Sequence, residues 1–382
     1  MAPNNKPTVL VVLQMTGGND YFNTIIPYTD SNYYEGRVNL QIPEDSVLKL
    51  DDELGLHPVM GPMKKIYEQG DMAIIHGVGY QNSPRSHFRS MDIWHTCEPD
   101  KVGTEGWLGR AIRDLDPSGE NPVFGVNIGQ GLPRVLVTPG VSVASVADLS
   151  TYGLLTGIEQ EQLRTRMLQR FANMYGQAIG TGPVKEYLGD TGINALKGAD
   201  ILKEGLGRYS STVEYATDPI AKSLRDVAMI HTADVGTRVF YTAHGSFDTH
   251  ATQAPTFDKL WTEVSGAIAD FWDDLRQHDA DDNVIMFLFS EFGRRVRDNG
   301  SGTDHGAAGA CIAIGPRVKG GMHGIYPDTR PEALEQGDLV PNQDFRGVYS
   351  TILEDWLGLD PVPIVNGQFE QPKFIEKNGG SV

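Results

Sequence analysis

Residues 284–294 read Val-Ile-Met-Phe-Leu-Phe-Ser-Glu-Phe-Gly-Arg, and residues 303–314 read Thr-Asp-His-Gly-Ala-Ala-Gly-Ala-Cys-Ile-Ala-Ile. The unbroken apolar run Val284 to Phe289 has the length of a strand buried on both faces of a sheet. It feeds straight into Ser290-Glu291, and a second apolar run, Ala307 to Ile314, follows Asp304-His305. In an open α/β sheet, ligands bind outside the carboxyl ends of the strands. A carboxylate closing one strand and an Asp-His pair entering the next are therefore expected to share a site.

Other segments repeat this pattern. Thr8 to Met15 is a buried-strand run that ends in Thr16-Gly-Gly-Asn-Asp20, a sharp turn with a carboxylate at its tip. Met72 to Val78 leads into Gly79-Tyr-Gln-Asn-Ser-Pro-Arg85, after which Ser86 has the form of an N-cap for a helix through Trp94. Further strands are expected near Pro122 to Ile128, in short pieces between Arg134 and Val146, and at Thr237 to Thr242. Helical periodicity marks Ile158 to Ala178, with Leu163, Met167, Phe171 and Met174 on one face. It also marks Pro219 to His231, and Phe257 to about His278, with Leu260, Val264, Ile268, Phe271 and Leu275 turned inward. Alternating strands and helices predict a mainly parallel central sheet with helices on both faces. We divide the chain into a first part of an α/β core (1–150), a mostly helical cap insertion over the carboxyl edge (151–217) and a second part of the core (218–382).

Composition narrows the function. Among 382 residues the formal net charge is -18, which argues against a nucleic-acid partner, since such proteins need a basic face. An anionic small substrate remains compatible if metal ions or local arginines neutralise it. Two cysteines, Cys97 and Cys311, are too few for a disulfide framework or a cysteine-rich zinc site. No window approaches the roughly 18 apolar residues of a membrane span, and the polar opening Met1-Ala-Pro-Asn-Asn-Lys does not resemble a signal peptide. The strand ends carry, in order, Asp20, the Ser83/Ser86/His87 turn, Asp248 with His250, and Glu291 with Asp304 and His305. Carboxylates and imidazoles gathered in this way are the mixture that zinc, manganese and similar divalent ions accept. Arg85 and Arg294 are candidate partners for anionic oxygens through their planar forks, and His87 or His244 is a candidate general acid. His323, in a glycine-rich loop, is a weaker candidate for the same neighbourhood.

The strings GGND, RSHF, GSFDTH, SEFGR and TDHG, in this order along nearly the whole chain, resemble those of a sulfatase-like bacterial family of unknown function, DUF 1501. That family is distantly related to the alkaline phosphatase and sulfatase superfamily, whose members use two metal ions and a Ser, Thr or modified Cys nucleophile. The resemblance implies an alkaline phosphatase/sulfatase-like fold and one or two divalent ions, zinc or manganese first, calcium or magnesium second. It implies Ser86 as nucleophile, with Ser83 as the alternative because Asn82-Ser83 with His87 matches the spacing of cofactor-independent phosphoglycerate mutases. It further implies Asp248, His250 and His305 around a first ion, Glu291 in place of the strand-end Asp-His, and Asp20 as the early carboxylate. Two departures stand out: Gln14 ends the first strand, and Phe292 stands where a second-metal histidine is expected. The implied activity is a metal-dependent hydrolase of phosphate or sulfate esters, with a transferase or mutase, or a non-catalytic binding protein, as alternatives. The expected partner is a small anionic ester. The resemblance favours a periplasmic or secreted location over a cytoplasmic one, and oligomeric state has no signature in the sequence.

Overall fold

The computed structural model describes residues 6–149, 152, 161–176, 192, 194–195, 197–203, 207 and 209–377. A nine-stranded sheet organises it. In chain order its strands are β1 (Val9–Met15), β2 (Met72–Gly79), β3 (Gly125–Ile128), β4 (Val143–Val146), β5 (Val239–His244), β6 (Val284–Phe289), β7 (Gly309–Ile314), β8 (Gly321–His323) and β9 (Gln343–Asp344). Across the sheet the order is β8-β2-β7-β6-β1-β5-β3-β4, with β9 pairing β2.

The core follows from the side-chain period of two. In β1, Val9, Val11, Leu13 and Met15 enter one hydrophobic cluster, whereas Leu10 and Val12 enter another on the opposite face. The helices divide accordingly. The first face is covered chiefly by α4 (Pro219–Thr232) and α5 (Gln253–Gln277), with the short helix Gly61–Glu68 adding Met63 and Ile66. The second face is covered by α1 (His87–Thr96), α2 (Trp107–Leu115) and α6 (Phe345–Thr351), which contribute Trp94, Trp107 and Tyr349. Helices on both faces of a mainly parallel sheet are the architecture expected from the sequence. All five residues of the inward face assigned to α5 are buried. That helix begins at Gln253 rather than Phe257, because Pro255 sits in its first turn, where a missing N–H costs no intrahelical bond.

One strand departs from the parallel pattern. β7 is antiparallel to both β2 and β6, while the other pairings in the sheet are parallel. This reversal places the start of β7 at the same edge as the end of β6. Between them lies a two-stranded ribbon, Arg294–Asp298 with Thr303–His305, in which Arg294 faces His305. A parallel β7 would have carried Asp304 and His305 to the opposite edge. Much of the 151–217 insertion, its first boundary included, lies outside the described residues; within it α3 (Glu161–Gly176) is described, with Leu163, Met167 and Met174 exposed. Among the described residues, no helix is long and apolar enough to cross a membrane.

Candidate metal centre

The carboxyl ends of β1, β2, β5 and β6 converge on one patch, and Arg294 ties it together. Its side chain is fully buried. Nε donates to the Gly18 carbonyl at 2.7 Å, Nη1 to the Thr303 carbonyl at 2.9 Å, and Nη2 to the carbonyls of Gly17 and Phe247 and to Asp248 Oδ1, the last at 2.7 Å. One guanidinium thus fixes the turn after β1, the loop after β5 and the ribbon after β6. Gly17 makes the approach possible: its φ of +121° favours glycine, and a Cβ there would collide with the backbone of Phe247 and Asp248.

Against this clamp stand three ligand-type atoms. Asp248 Oδ1 lies 3.1 Å from His250 Nε2 and 3.2 Å from His305 Nε2, and the two imidazole nitrogens are 2.9 Å apart. The partners of the other ring nitrogens decide the tautomers. His305 Nδ1 is 2.8 Å from the Arg85 carbonyl, and His250 Nδ1 is 3.2 Å from Asp304 Oδ1. A carbonyl and a carboxylate only accept, so both Nδ1 atoms carry hydrogen, while both Nε2 atoms point at Asp248 Oδ1 and at each other. Ligands about 2.0–2.1 Å from a tetrahedral ion stand roughly 3.3 Å apart, close to the separations here. The residues therefore fit a divalent ion, and Asp304 and the Arg85 carbonyl orient its histidines as outer partners commonly do. The side chains of Asp248 and His250 are 45% and 44% exposed, which leaves the centre open toward solvent.

Burial pushes the Asp248 carboxyl up, but hydrogen bonds from Arg294 and His305 outweigh it and hold it down to about 2. Asp304 is likewise raised by burial and brought below its usual value by His250 and Asn299. Both carboxylates are accordingly ionised at neutral pH.

His87 borders the same centre. It, Asp248 and His305 offer ligand atoms within 4.8 Å of one another. Its Nδ1 lies 2.8 Å from Glu291 Oε1, which also accepts from the Gly17 N–H at 2.8 Å. Hydrogen bonding to Glu291 raises the imidazole above its ordinary value. Its Nε2 is buried without a hydrogen-bond partner, 3.4 Å from Asp248 Oδ2. Phe292, 2% exposed, packs its ring 4.8 Å from those of His87 and His305, filling the space where a second-metal histidine was expected.

Ser86 occupies the N-cap of α1 as anticipated, yet its side chain makes no capping bond. It lies between Arg85, whose carbonyl holds His305, and His87. Ser83 Oγ is buried without a well-formed partner beside the Tyr80 hydroxyl.

Several candidates stand elsewhere or act differently from the sequence reading. Asp20 does not join the ligand group: fully buried, it pairs with Arg37 at 2.7 Å and accepts from Gln253 Nε2. Glu291 backs His87 rather than facing the triangle of Asp248, His250 and His305. Arg294 is fully buried, with Nε, Nη1 and Nη2 each engaged by the protein. Arg85 gives its Nε to Asp338 Oδ2 at 2.6 Å. His244 lies 3.2 Å from Glu263, and His323 Nε2 is 2.7 Å from the Lys319 carbonyl. Two contributors escaped the sequence reading, the Gly17 N–H and the Arg85 carbonyl, because backbone groups leave no trace in residue type.

The profile of DUF1501, a protein family of unknown function, matches residues 8–373. The chain belongs to this family. Comparison with curated protein sequences gives no match. Among solved structures, a DUF1501 chain of this kind is similar to the sulfatase PsFucS1 from Pseudoalteromonas sp., at 14% identity and a TM-score of 0.41 over 100% of this chain and 74% of that one. It is similar to the zinc complex of the C-terminal periplasmic domain of EcEptC from Escherichia coli, at 10% identity and a TM-score of 0.43 over 98% and 88%. It is also similar to the phosphonate monoester hydrolase SpPMH from Silicibacter pomeroyi, at 10% identity and a TM-score of 0.41 over 99% and 78%. These likenesses are remote, and no residue role is carried across them.

Proposed function

We propose that this DUF1501 protein is a metal-dependent hydrolase of phosphate or sulfate esters, holding its ion on Asp248, His250 and His305. The observation that carries the reading is the convergence of two imidazole nitrogens, 2.9 Å apart, on one oxygen of an ionised carboxylate. Two nitrogen ligands favour zinc or manganese over calcium or magnesium, which prefer all-oxygen surroundings. When bound, such an ion neutralises charge on the ester and activates an oxygen nucleophile.

The chain's own groups supply the remainder. Ser86, released from capping and set between two residues of the centre, is the nucleophile in this reading. His87, oriented through Nδ1 by Glu291, presents Nε2 to hold and deliver the proton that the departing alcohol needs. Arg294 fixes Asp248 without contacting the ester. We assign substrate selection to the 151–217 segment, which leaves the sheet after β4 and returns before α4.

Elemental analysis of purified protein, followed by assays of aryl phosphate, phosphodiester and sulfate esters with and without chelator, tests this function. About one ion per chain and chelator-sensitive turnover are expected. Full activity in metal-free protein would refute it.

A further inference from the structure

The charges around the centre select among ester substrates. Asp248, Glu291, Asp304 and Asp338 each carry a negative charge, and Arg85, Arg294 and Arg295 each carry a positive one. The pairings connect them: Arg294 with Asp248, Arg85 with Asp338, and Arg295 Nε 3.6 Å from Asp338 Oδ1. Among the described residues, no lysine pairs with any of these carboxylates. A divalent ion on the triangle brings the total to a single positive charge.

The state of each guanidinium points the same way. A tetrahedral dianion is well held by a free guanidinium fork, which meets two of its oxygens at once. Arg294 is buried with Nε, Nη1 and Nη2 all committed to the protein. Arg85 is turned to Asp338 through Nε and to Gln336 Oε1 through Nη1. Arg294's fork is spent on Asp248 and on backbone carbonyls, and Arg85's on Asp338 and Gln336. Arg295 shares the Asp338 carboxylate, so its charge is also partly countered.

We propose that the centre takes esters whose tetrahedral group carries a single negative charge, namely sulfate monoesters or diester-type phosphorus centres, and discriminates against dianionic phosphate monoesters. This inference rests on the hydrolase reading above and names its substrate class. In the reaction the bond from the central sulfur or phosphorus to the alcohol oxygen breaks and a bond to the Ser86 oxygen forms, the serine proton leaving with the alcohol by way of His87. Water then displaces Ser86, one of its protons returning to the serine oxygen. The balance is ester plus water to acid plus alcohol. A monoanion neutralises the single excess positive charge, whereas a dianion leaves one charge uncompensated in a partly buried site, where such charges interact strongly.

The test uses the zinc- or manganese-loaded protein near pH 8, where a phosphate monoester is a dianion. Four esters with one leaving group are compared: 4-nitrophenyl phosphate, bis(4-nitrophenyl) phosphate, 4-nitrophenyl phenylphosphonate and 4-nitrophenyl sulfate. We expect at least one monoanionic ester to exceed the phosphate monoester in kcat/KM by roughly 100-fold. Which monoanion leads separates sulfuryl from phosphoryl chemistry, and either supports the proposal. A phosphate monoester turned over as fast or faster overturns it while leaving the hydrolase function standing.

Calorimetry supplies a readout independent of turnover. Benzenesulfonate, a monoanion, should bind the loaded protein at least tenfold more tightly than dianionic phenylphosphonate. The reverse order overturns the charge argument even if no ester is hydrolysed. Asp338→Asn, which frees Arg85 and Arg295 from their carboxylate, should narrow the sulfonate-over-phosphonate preference, and an unchanged ratio in the folded variant counts against the proposal.

Discussion

His250→Ala separates a metal centre from a chance meeting of polar side chains. The substitution removes one of three ligand atoms and leaves Asp248, His305 and the Arg294 clamp in place. An ion that binds only the folded chain adds about 2.7 kcal/mol of stability at one hundred times its dissociation constant. At roughly 2.1 cal/mol/K per residue, unfolding a chain of 382 residues carries about 0.8 kcal/mol/K, so that increment raises Tm by about 3 °C. If the variant binds ~100-fold more weakly, the same ion concentration supplies about 0.4 kcal/mol, or about 0.5 °C. The metal-free variant should melt within about 1 °C of the metal-free parent, because the side chain is 44% exposed and substitutions at such positions usually cost little. The assay is differential scanning calorimetry of parent and variant across a zinc titration, with magnesium as control. An undiminished zinc increment in His250→Ala would refute the ligand assignment.

Ser86→Ala should lower kcat on the best ester by on the order of 10³-fold or more with metal content unchanged, while Ser83→Ala stays within about tenfold; the reverse order would transfer the nucleophile role to Ser83. Arg294→Lys cannot reproduce five bonds with three N–H groups, and leaving buried carbonyls and Asp248 without partners should cost about 3–5 kcal/mol, read as a lowered urea midpoint at unchanged m. Acid stability should follow buried neutral histidines: burial lowers His57, His76 and His95 each from 6.5 to about 4. Between those values the unfolded chain binds protons that the folded chain excludes, so their contribution is fully present above 6.5 and lost as pH falls toward 4. By 1.36 kcal/mol per pKa unit each is worth roughly 3 kcal/mol, and a chain equally stable at pH 7 and pH 4.5 would contradict this.

How far the sequence could be read depends on the range over which each feature is determined. The long core strands were legible because a buried parallel strand needs a contiguous apolar run, and the alternation of β1 between two clusters is the direct result. The inward face of α5 was legible for the same local reason. The short strands β8 and β9 were not, since stretches of three and two residues contain too little pattern to register. The direction of β7 was hidden as well, because a strand reads alike in either sense and only its neighbours decide the pairing. That hidden reversal is what brings Glu291, Asp304 and His305 to the same edge of the sheet.

Charged residues show the same division more sharply. Asp20 and Asp248 both follow a strand end in a glycine-containing turn, and nothing local distinguishes them. Their fates differ because Arg37 and Gln253 converge on Asp20 inside the protein, whereas Asp248 faces His250 and His305 at a solvent-open edge. Arg294 sits close to Glu291 in sequence and looked ready for an anionic ligand, yet its buried fork is turned to five acceptors from three segments. A guanidinium buried under a carboxylate ligand holds that carboxylate ionised and in position before any ion arrives, so less reorganisation is left to binding. The same burial withholds the arginine's fork from substrate. Preorganisation of Asp248 and discrimination against a second negative charge on the ester are therefore two consequences of one side chain, which a double-mutant cycle between Arg294→Lys and Asp338→Asn would reveal as non-additive changes in the sulfonate-over-phosphonate ratio.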